Sequence, residues 1–190
     1  MTVEPLQKLK NELELRGFHS EIQPLSEEHD VHQLVVDFEG ENELQLIIFF
    51  LSDLVKLTKA AGVSTEAQEL VEDENVDFMQ LFMRYPIEFD EEVVPDLARL
   101  VLMVNWSTPV GGFGLNESQK MVFYRHVFEC SGDEPSAEMV ADAINGMNFY
   151  ANLRFDLFDT VATGEKSLSE VLEEIDQDRR REEEFPGYDL

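Results

Sequence analysis

The segment HQLVVDFEGENELQLIIFFL constrains the fold more than any other part of this sequence. Leu34, Val36 and Phe38 occupy alternate positions, which is typical of a β-strand with one buried face. A turn is predicted at residues 40–42, after which residues 44–51 return as a second strand. Because the returning strand is apolar on both faces, it is typical of a central strand that is covered on each side. The segment therefore predicts the middle of an antiparallel sheet.

The other elements follow from periodicity and capping signals. Leu6, Leu9 and Leu13 repeat at helical spacing, and Ser167 with Glu170 forms a capping box ahead of a final helix. The remaining predicted elements are strands at residues 17–23, 76–89 and 120–130 and helices at residues 64–75, 91–106 and 136–164. This order predicts an α+β fold in which an antiparallel sheet of about five strands is flanked by helices.

Two parts are predicted along the chain. Residues 1–164 form the α+β domain, and residues 165–190 form a charged helix that ends in the tail FPGYDL. Such a terminal tail is expected to be mobile. Within the first part, residues 52–76 form an acidic connector between the third and fourth strands.

The charge of the chain restricts its partners. It contains 41 acidic and 14 basic residues, which give a formal net charge of −27. An excess of this size repels phosphate backbones and anionic membranes, so neither nucleic acid nor a membrane surface is an expected partner. A basic partner, or one that must be kept soluble, is favoured instead. The 43% of hydrophobic residues is sufficient for a packed core.

Several features indicate a soluble, cytoplasmic protein. The single cysteine, Cys130, cannot form an intramolecular disulfide, which fits a reducing compartment. The first residues carry charges throughout and lack the apolar core of a secretory signal. The longest apolar run, LIIFFL, is far too short to cross a bilayer.

The glycine-rich stretch GGFGLNESQ raises the question of a phosphate-binding loop. A P-loop requires G-x-x-x-x-G-K-[ST], but the sixth residue from Gly111 is Asn116, and the sequence contains no Gly-Lys pair. A dinucleotide site needs its glycines between a strand and a helix, whereas these follow a helix and lead into a strand. The pattern favours a structural role, in which Gly111 and Gly112 end the helix and a short strand begins at Phe113.

Other candidate sites also fail on spacing. His126 and Cys130 lie about 13 Å apart along a regular strand, whereas a nucleophile and its base must be within about 3 Å of each other. A buried structural thiol is therefore predicted. His29 and His32 lack the spacing of a helical zinc motif, and DFEGENE has its glycine at the wrong position for a calcium loop. No catalytic residue, cofactor site or metal site is predicted.

The acidic run EFDEEVVPD extends from Glu88 to Asp96 and leads into the apolar helix. Carboxylates at this place suit the positive end of the helix dipole, which is a sufficient structural reason for them. A catalytic pair of carboxylates within the run stays an alternative, because the sequence does not give their separation.

The segment MRYPIEFDEEVVPDLARLVLMVNWSTPVGGFGLNESQKMVFYRHVF resembles the pattern of YbjN-type domains. A strand that ends in Tyr-Pro, an apolar helix, Gly-Phe-Gly-Leu and an aromatic-rich strand carry this resemblance. Over about residues 5–162, the order of elements is also similar to the class I type III secretion chaperone fold. The resemblance implies an antiparallel sheet against helices, a dimer, and a non-catalytic role in holding or regulating another protein. The chain departs from the pattern in the connector and after Gly164, and no functional residue follows from the resemblance.

The favoured function is a protein-binding module: a cytoplasmic homodimer that binds a polypeptide client or regulates a partner. The candidate contact residues lie on apolar strand faces and are Phe78, Phe82, Val122, Tyr124 and Phe128. For each of these taken singly, the alternative is a place in the core. Two further hypotheses stay open. One is an enzyme of unrecognised type that uses acids of the run from Glu88 to Asp96, and the other is an acidic mimic that blocks the basic site of a nucleic-acid-binding protein.

Overall fold

A computed structural model describes residues 3–26, 31–38, 42, 44–53, 55, 76–131 and 136–184, of which residues 26, 76, 77, 131 and 177–184 are described by their backbone alone. The elements in chain order are α1 (Val3–Glu14), β1 (His19–Ser26), β2 (Val31–Asp37), β3 (Gln45–Phe50), β4 (Val76–Arg84), a 3₁₀ turn (Glu91–Val93), α2 (Val94–Trp106), β5 (Gly112–Asn116), β6 (Met121–Ser131), α3 (Ala137–Ala162) and α4 (Leu168–Glu184). The acidic connector falls largely outside the described residues, and the tail FPGYDL falls wholly outside them.

The six strands form one open antiparallel sheet in the order β1-β2-β3-β4-β6-β5. The predicted α+β class and antiparallel sheet are therefore confirmed. The predicted hairpin provides β2 and β3, with Leu34 opposite Ile48 and Val36 opposite Leu46. The sixth strand is β5, which the glycine-rich stretch forms at the edge next to β6.

The helices α1, α2 and α3 cover one face of the sheet, called here the core face. Fully buried side chains on that face include Leu34, Leu46, Ile48, Leu81 and Met83. The helices contribute to the same core through Leu6, Leu9 and Leu13 of α1, Leu97, Leu100 and Val104 of α2, and Val140, Ile144, Met147 and Phe158 of α3. Helix α4 joins this core through Leu168 and Val171 in its first turns.

The fourth strand is shorter than predicted. The strand was expected over residues 76–89, but β4 ends at Arg84, and Tyr85 makes the last backbone bond to the neighbouring strand by donating to the carbonyl of Val122 at 3.0 Å. Pro86 follows, and a proline cannot donate to a sheet ladder. The predicted helix at residues 91–106 begins as the 3₁₀ turn and becomes α-helical at Val94.

The structure confirms the predicted cap of α4 and shows a further cap on α3. Ser136 caps α3 through its Oγ, which accepts from the N–H of Met139 at 3.2 Å. Glu170 Oε2 accepts from the N–H and the Oγ of Ser167, each at 2.8 Å, and this is the predicted capping box.

Within the described residues, no helix is both long enough and apolar enough to cross a membrane.

Candidate protein-binding surface

The glycine-rich stretch is a structural element at the edge of the sheet, but the glycines do not end the helix as predicted, because α2 already ends at Trp106 and Gly112 is the first residue of β5. Gly111 has a φ of +67°, and a Cβ there would lie 2.4 Å from the carbonyl oxygen of Arg125, so only glycine fits. Strand β5 then runs to Asn116, whose Oδ1 accepts from the N–H of Gln119 at 3.1 Å in the following turn. These glycines lie between a helix and a strand, which differs from the arrangement of a phosphate-binding loop.

The outer edge of β5 is closed by a side chain of α2. Asn105 Nδ2 donates to the carbonyl of Phe113 at 2.9 Å, and the N–H of Phe113 donates to Asn105 Oδ1 at 2.7 Å. The amide thus occupies the positions that a further strand would use. Edge strands whose backbone groups are covered in this way do not pair with another chain.

The face of the sheet opposite the helices, called here the outer face, carries two phenylalanines and two arginines in alternation. On the paired strands β4 and β6, Phe82 lies opposite Arg125, and Arg84 lies opposite Phe123. The two phenylalanine rings stack across the diagonal, with centroids 5.3 Å apart and an interplanar angle of 24°. These four residues are named here the aromatic–arginine patch.

Gly114 leaves space for the ring of Phe123 in the patch. Gly114 lies opposite Phe123, and a Cβ at Gly114 would lie 2.2 Å from Cζ of that ring. The far end of the Phe123 ring therefore occupies the space that a side chain at position 114 would fill. The absence of a side chain at Gly114 leaves room for this ring, which stacks with Phe82.

The outer face is open at the patch and at the adjoining ends of β2 and β3, where Asp37 and Gln45 are exposed. Arg84 and Arg125 are exposed, and Val127 retains 40% of its accessible surface. By contrast, Val35 and Phe49 on β2 and β3 are buried. The patch is therefore one part of the accessible area, and Gln80 of β4 is buried on the same face.

Among the described residues, the arginines of the patch have no carboxylate partner. In a chain with 41 acidic residues, neither Arg84 nor Arg125 forms an ion pair within the part of the chain that the structure describes.

Arg84 lines two cavities. One of about 510 Å³ is lined by Gln45, Ile47, Arg84, Pro86, Ile87 and Glu88, and one of about 440 Å³ by Arg84, Ile87, Glu88, Phe89, Asp90, Gln119 and Lys120.

The structure separates Asp96 from Glu88 and Asp90 within the acidic run. Glu88 and Asp90 are exposed and line the cavities beside Arg84. Asp96 lies on α2, where its Oδ2 accepts from the N–H of Leu168 at 3.3 Å and its Oδ1 lies 3.7 Å from Nη1 of Arg99. Asp96 therefore connects α2 to the start of α4.

The five predicted contact residues fall on opposite faces of the sheet. Phe78 and Phe82 are partly buried and lie on the outer face. Val122 and Tyr124 are fully buried in the core, which is the alternative place considered for them, and they offer no surface to a partner. Phe128 is partly buried on the core face and contacts His126 edge-on, with ring centroids 4.6 Å apart.

Sequence reasoning missed Phe123, Arg84 and Arg125. The alternation of β6 correctly separates Val122 and Tyr124 from Phe123 and Arg125. Because both sets contain an aromatic residue, alternation alone does not show which set the helices cover. The exposed arginines were the available signal, since a charged side chain in mid-strand marks the face that solvent reaches.

Two buried tyrosines organise the core beneath β5. The hydroxyl of Tyr85 donates to the carbonyl of Ala151 at 2.6 Å, and that of Tyr124 donates to the carbonyl of Val110. Burial, reinforced by the proximity of the two hydroxyls, raises the pKa of Tyr85 above its ordinary value. Burial, with a smaller effect from Tyr150, raises the pKa of Tyr124 to about 12. Both groups therefore act as neutral hydrogen-bond donors.

The histidine and cysteine of β6 are part of the core face. Cys130 is a buried thiol that forms no disulfide, and burial lowers the pKa of His126. Among the described residues, no group of three or more histidine, cysteine or acidic side chains could hold a metal ion. His29 and most of DFEGENE lie outside those residues.

Comparison with known protein families found no family model that matches the chain, and comparison with curated proteins found no match. The resemblance to YbjN-type domains and secretion chaperones therefore stays a prediction.

Proposed function

We propose that this chain is a non-catalytic protein-binding module that holds or regulates a partner polypeptide in the cytoplasm. The observation that supports the proposal is the aromatic–arginine patch, exposed on the outer face of the sheet. Aromatic residues and arginine are enriched in protein interfaces relative to the rest of the protein surface. They also supply most of the binding energy where an interface has been dissected.

The edges of the sheet favour contact through side chains over strand addition. At one edge, Asn105 occupies the backbone groups of Phe113. At the other edge, β1 carries Pro24 next to an irregularity in its pairing with β2. Proline and bulges both oppose the addition of a further strand. The partner is therefore bound on the face of the sheet, where the patch lies.

Site-specific photo-cross-linking in cells tests this function. A benzophenone amino acid would replace Val127, which is 40% exposed beside the patch, and in a matched control it would replace Leu15, which is 89% exposed after α1. We expect a discrete covalent adduct with another protein from position 127 only, identified by mass spectrometry. Adducts of equal yield from both positions, or none from position 127, would show that the outer face does not bind protein.

We also propose that the chain forms a homodimer through exposed apolar side chains of α2 and α3. Leu102 and Trp106 are 74% and 95% exposed on α2, and Phe149 and Leu153 are 60% and 53% exposed on α3. Arg154 Nη2 donates to Ser107 Oγ at 3.3 Å, which brings the end of α2 beside this part of α3. An apolar, self-complementary surface suits a chain of net charge −27, because it brings few like charges together.

The oligomeric state tests the dimer separately from partner binding. Trp106→Ala should convert a dimer to a monomer in analytical ultracentrifugation, because an exposed tryptophan is a typical anchor of an interface. Leu15→Ala removes an exposed apolar side chain outside this surface and should leave the mass unchanged. A wild-type chain that sediments as a monomer at all concentrations would contradict the dimer.

A further inference from the structure

We propose that the aromatic–arginine patch binds a polypeptide segment in which an apolar side chain is flanked by carboxylates. This inference rests on the proposed function and names the chemistry of the partner. In it, the apolar side chain packs on the stacked rings of Phe82 and Phe123, and the carboxylates pair with Arg84 and Arg125.

The patch carries two positive charges, those of Arg84 and Arg125. Arg84 and Arg125 are exposed and form no ion pair in the described part of a chain that has nearly three times as many acidic as basic residues. Lys120 lines a cavity together with Arg84, Glu88 and Asp90, so the positive charge of the patch itself comes from Arg84 and Arg125. A local concentration of cations on a strongly acidic protein is a site that a local anion fits.

The four residues of the patch alternate across the β4–β6 pair. Arg84 and Arg125 occupy one diagonal of the β4–β6 pair, and the stacked phenylalanines occupy the other. Diagonal neighbours on paired strands have backbones about 7–8 Å apart, and arginine side chains extend well beyond that. The two guanidinium groups therefore lie on either side of an apolar centre. A ligand that satisfies all four residues must itself be apolar in the middle and anionic at both sides.

Carboxylate fits the two arginines better than the phosphates of a nucleic acid do. The guanidinium group presents two parallel N–H donors that match a carboxylate, and such charge-assisted pairs are stronger than neutral hydrogen bonds. Phosphate would match equally well, but a nucleic acid would bring a whole backbone of charge against a protein of net charge −27. A segment with a few carboxylates experiences much less repulsion, because distant charges are screened beyond about 8 Å in physiological salt.

Two other occupants fit less well. A second copy of this chain, placed face to face, would bring four arginines together at the centre of the contact. A basic segment would be attracted to the chain as a whole but would meet Arg84 and Arg125 at the patch. The net charge of the chain therefore repels strongly acidic proteins as a whole. The patch binds a short segment that is acidic and apolar only locally.

A peptide array tests this chemistry directly. The probes are short synthetic peptides with a central leucine or phenylalanine flanked by glutamate, by glutamine or by lysine, together with single-stranded RNA. Soluble versions of the best glutamate peptide and of its glutamine analogue are then titrated by fluorescence anisotropy. We expect the glutamate peptides to bind about a hundredfold more tightly than the glutamine peptides, since the contacts with Arg84 and with Arg125 each contribute about a tenfold factor.

Matched variants connect the preference to the patch. Arg84→Gln and Arg125→Gln should each remove about a tenfold factor in affinity for the glutamate peptide, whereas Arg99→Gln, an exposed arginine on α2, should have no effect. Urea unfolding checks that each variant is folded. Arg125→Glu should shift the preference of the array towards the lysine peptides, a result that a merely structural role of Arg125 would not produce.

The outcomes separate this inference from the proposed function. Absence of glutamate-peptide binding, equal binding of the glutamate and glutamine peptides, or a preference for RNA would each overturn the inference. If a cross-linked protein is nevertheless found at position 127, the protein-binding function stands and only the acidic chemistry fails. If both experiments are negative, the function fails as well.

Discussion

Asn105 makes a paired contact with the backbone of Phe113, donating to its carbonyl at 2.9 Å and accepting from its N–H at 2.7 Å. A single amide side chain thus satisfies both outward-facing backbone groups of the second residue of an edge strand. The same amide joins α2 to β5, because Asn105 lies in the penultimate position of that helix. The stability of the edge and its resistance to association therefore depend on one residue.

Asn105→Ala should both destabilise the protein and open the edge of β5. The substitution leaves the N–H and the carbonyl of Phe113 without a protein partner, which costs about 1–3 kcal/mol. The exposed edge would then be available for pairing with a second chain. We expect a lower urea midpoint and a new increase of mass with concentration in light scattering.

Asn145→Ala is the control for this experiment, because Asn145 is an exposed asparagine on α3. It should leave stability unchanged or slightly raised, since alanine has the higher helix propensity. An Asn105→Ala variant that matches the control in both measurements would show that the amide does not protect the edge.

Gly114→Ala should be far more disruptive than Gly112→Ala, although both glycines lie on β5. A Cβ at Gly114 would lie 2.2 Å from the ring of Phe123, whereas the nearest atom to a Cβ at Gly112 is Asn105 Oδ1 at 3.7 Å. We expect Gly114→Ala to cost about 1–3 kcal/mol and Gly112→Ala less than about 0.5 kcal/mol, as measured by urea unfolding.

The reason for the difference can be isolated by a double-mutant cycle. If the cost of Gly114→Ala arises from the ring of Phe123, it should largely vanish in a Phe123→Ala background. A cost that persists in that background would place the strain in the backbone of β5 and not in the ring contact.

The alkaline stability of the protein should depend on Tyr124. Its pKa in the folded state is raised to about 12, mainly by burial, so an unfolded chain with an ordinary pKa of 10.0 releases the proton earlier. The stabilising contribution is therefore complete below pH 10 and is lost as the pH rises through 12. Tyr124→Phe should show a smaller loss of unfolding free energy over that range. Parallel curves for the two proteins would contradict the raised pKa.

Much of the fold could be predicted because burial alternates regularly along the chain. The alternation of Met79, Leu81, Met83 and Tyr85 places them on the core face, and the structure confirms this. The same alternation continues through Ile87 and Phe89, which are buried although they lie beyond the end of β4. Alternate burial requires only an extended backbone, whereas a strand requires a neighbour. The end of β4 was therefore not predictable from periodicity.

The candidate site was less predictable because it depends on contacts between elements. Nothing in the local pattern of α2 distinguishes Asn105 from other polar helix positions, since its partner lies on a separate strand. The patch likewise depends on the register that places Arg84 opposite Phe123. Periodicity identifies the two faces of β6, but the packing of α1, α2 and α3 decides which face remains exposed.

The capping box of α4 should control how firmly that helix is attached. Ser167 Oγ accepts from the N–H of Glu170 at 3.3 Å, and Glu170 Oε2 accepts from the N–H of Ser167 at 2.8 Å. The next residue, Leu168, is fully buried, so the cap fixes the point at which α4 enters the core. Ser167→Ala should increase hydrogen exchange in the first turns of α4. Ser169→Ala, at an exposed position two residues later, should not.

The same cap should make α4 sensitive to acid. The hydrogen bonds from the backbone and the side chain of Ser167 lower the pKa of Glu170 below its ordinary value of 4.5. A lowered pKa in the folded state means that the stabilisation is present above the ordinary value and is lost as the pH falls through the folded one. Exchange in α4 should therefore rise as the pH falls below 4.5, relative to that of α3 in the same molecule. Glu170→Gln keeps the shape of the side chain but cannot titrate, so its exchange ratio between α4 and α3 should stay constant with pH. A ratio that changes equally in the wild type and in this variant would show that another group controls the end of α4.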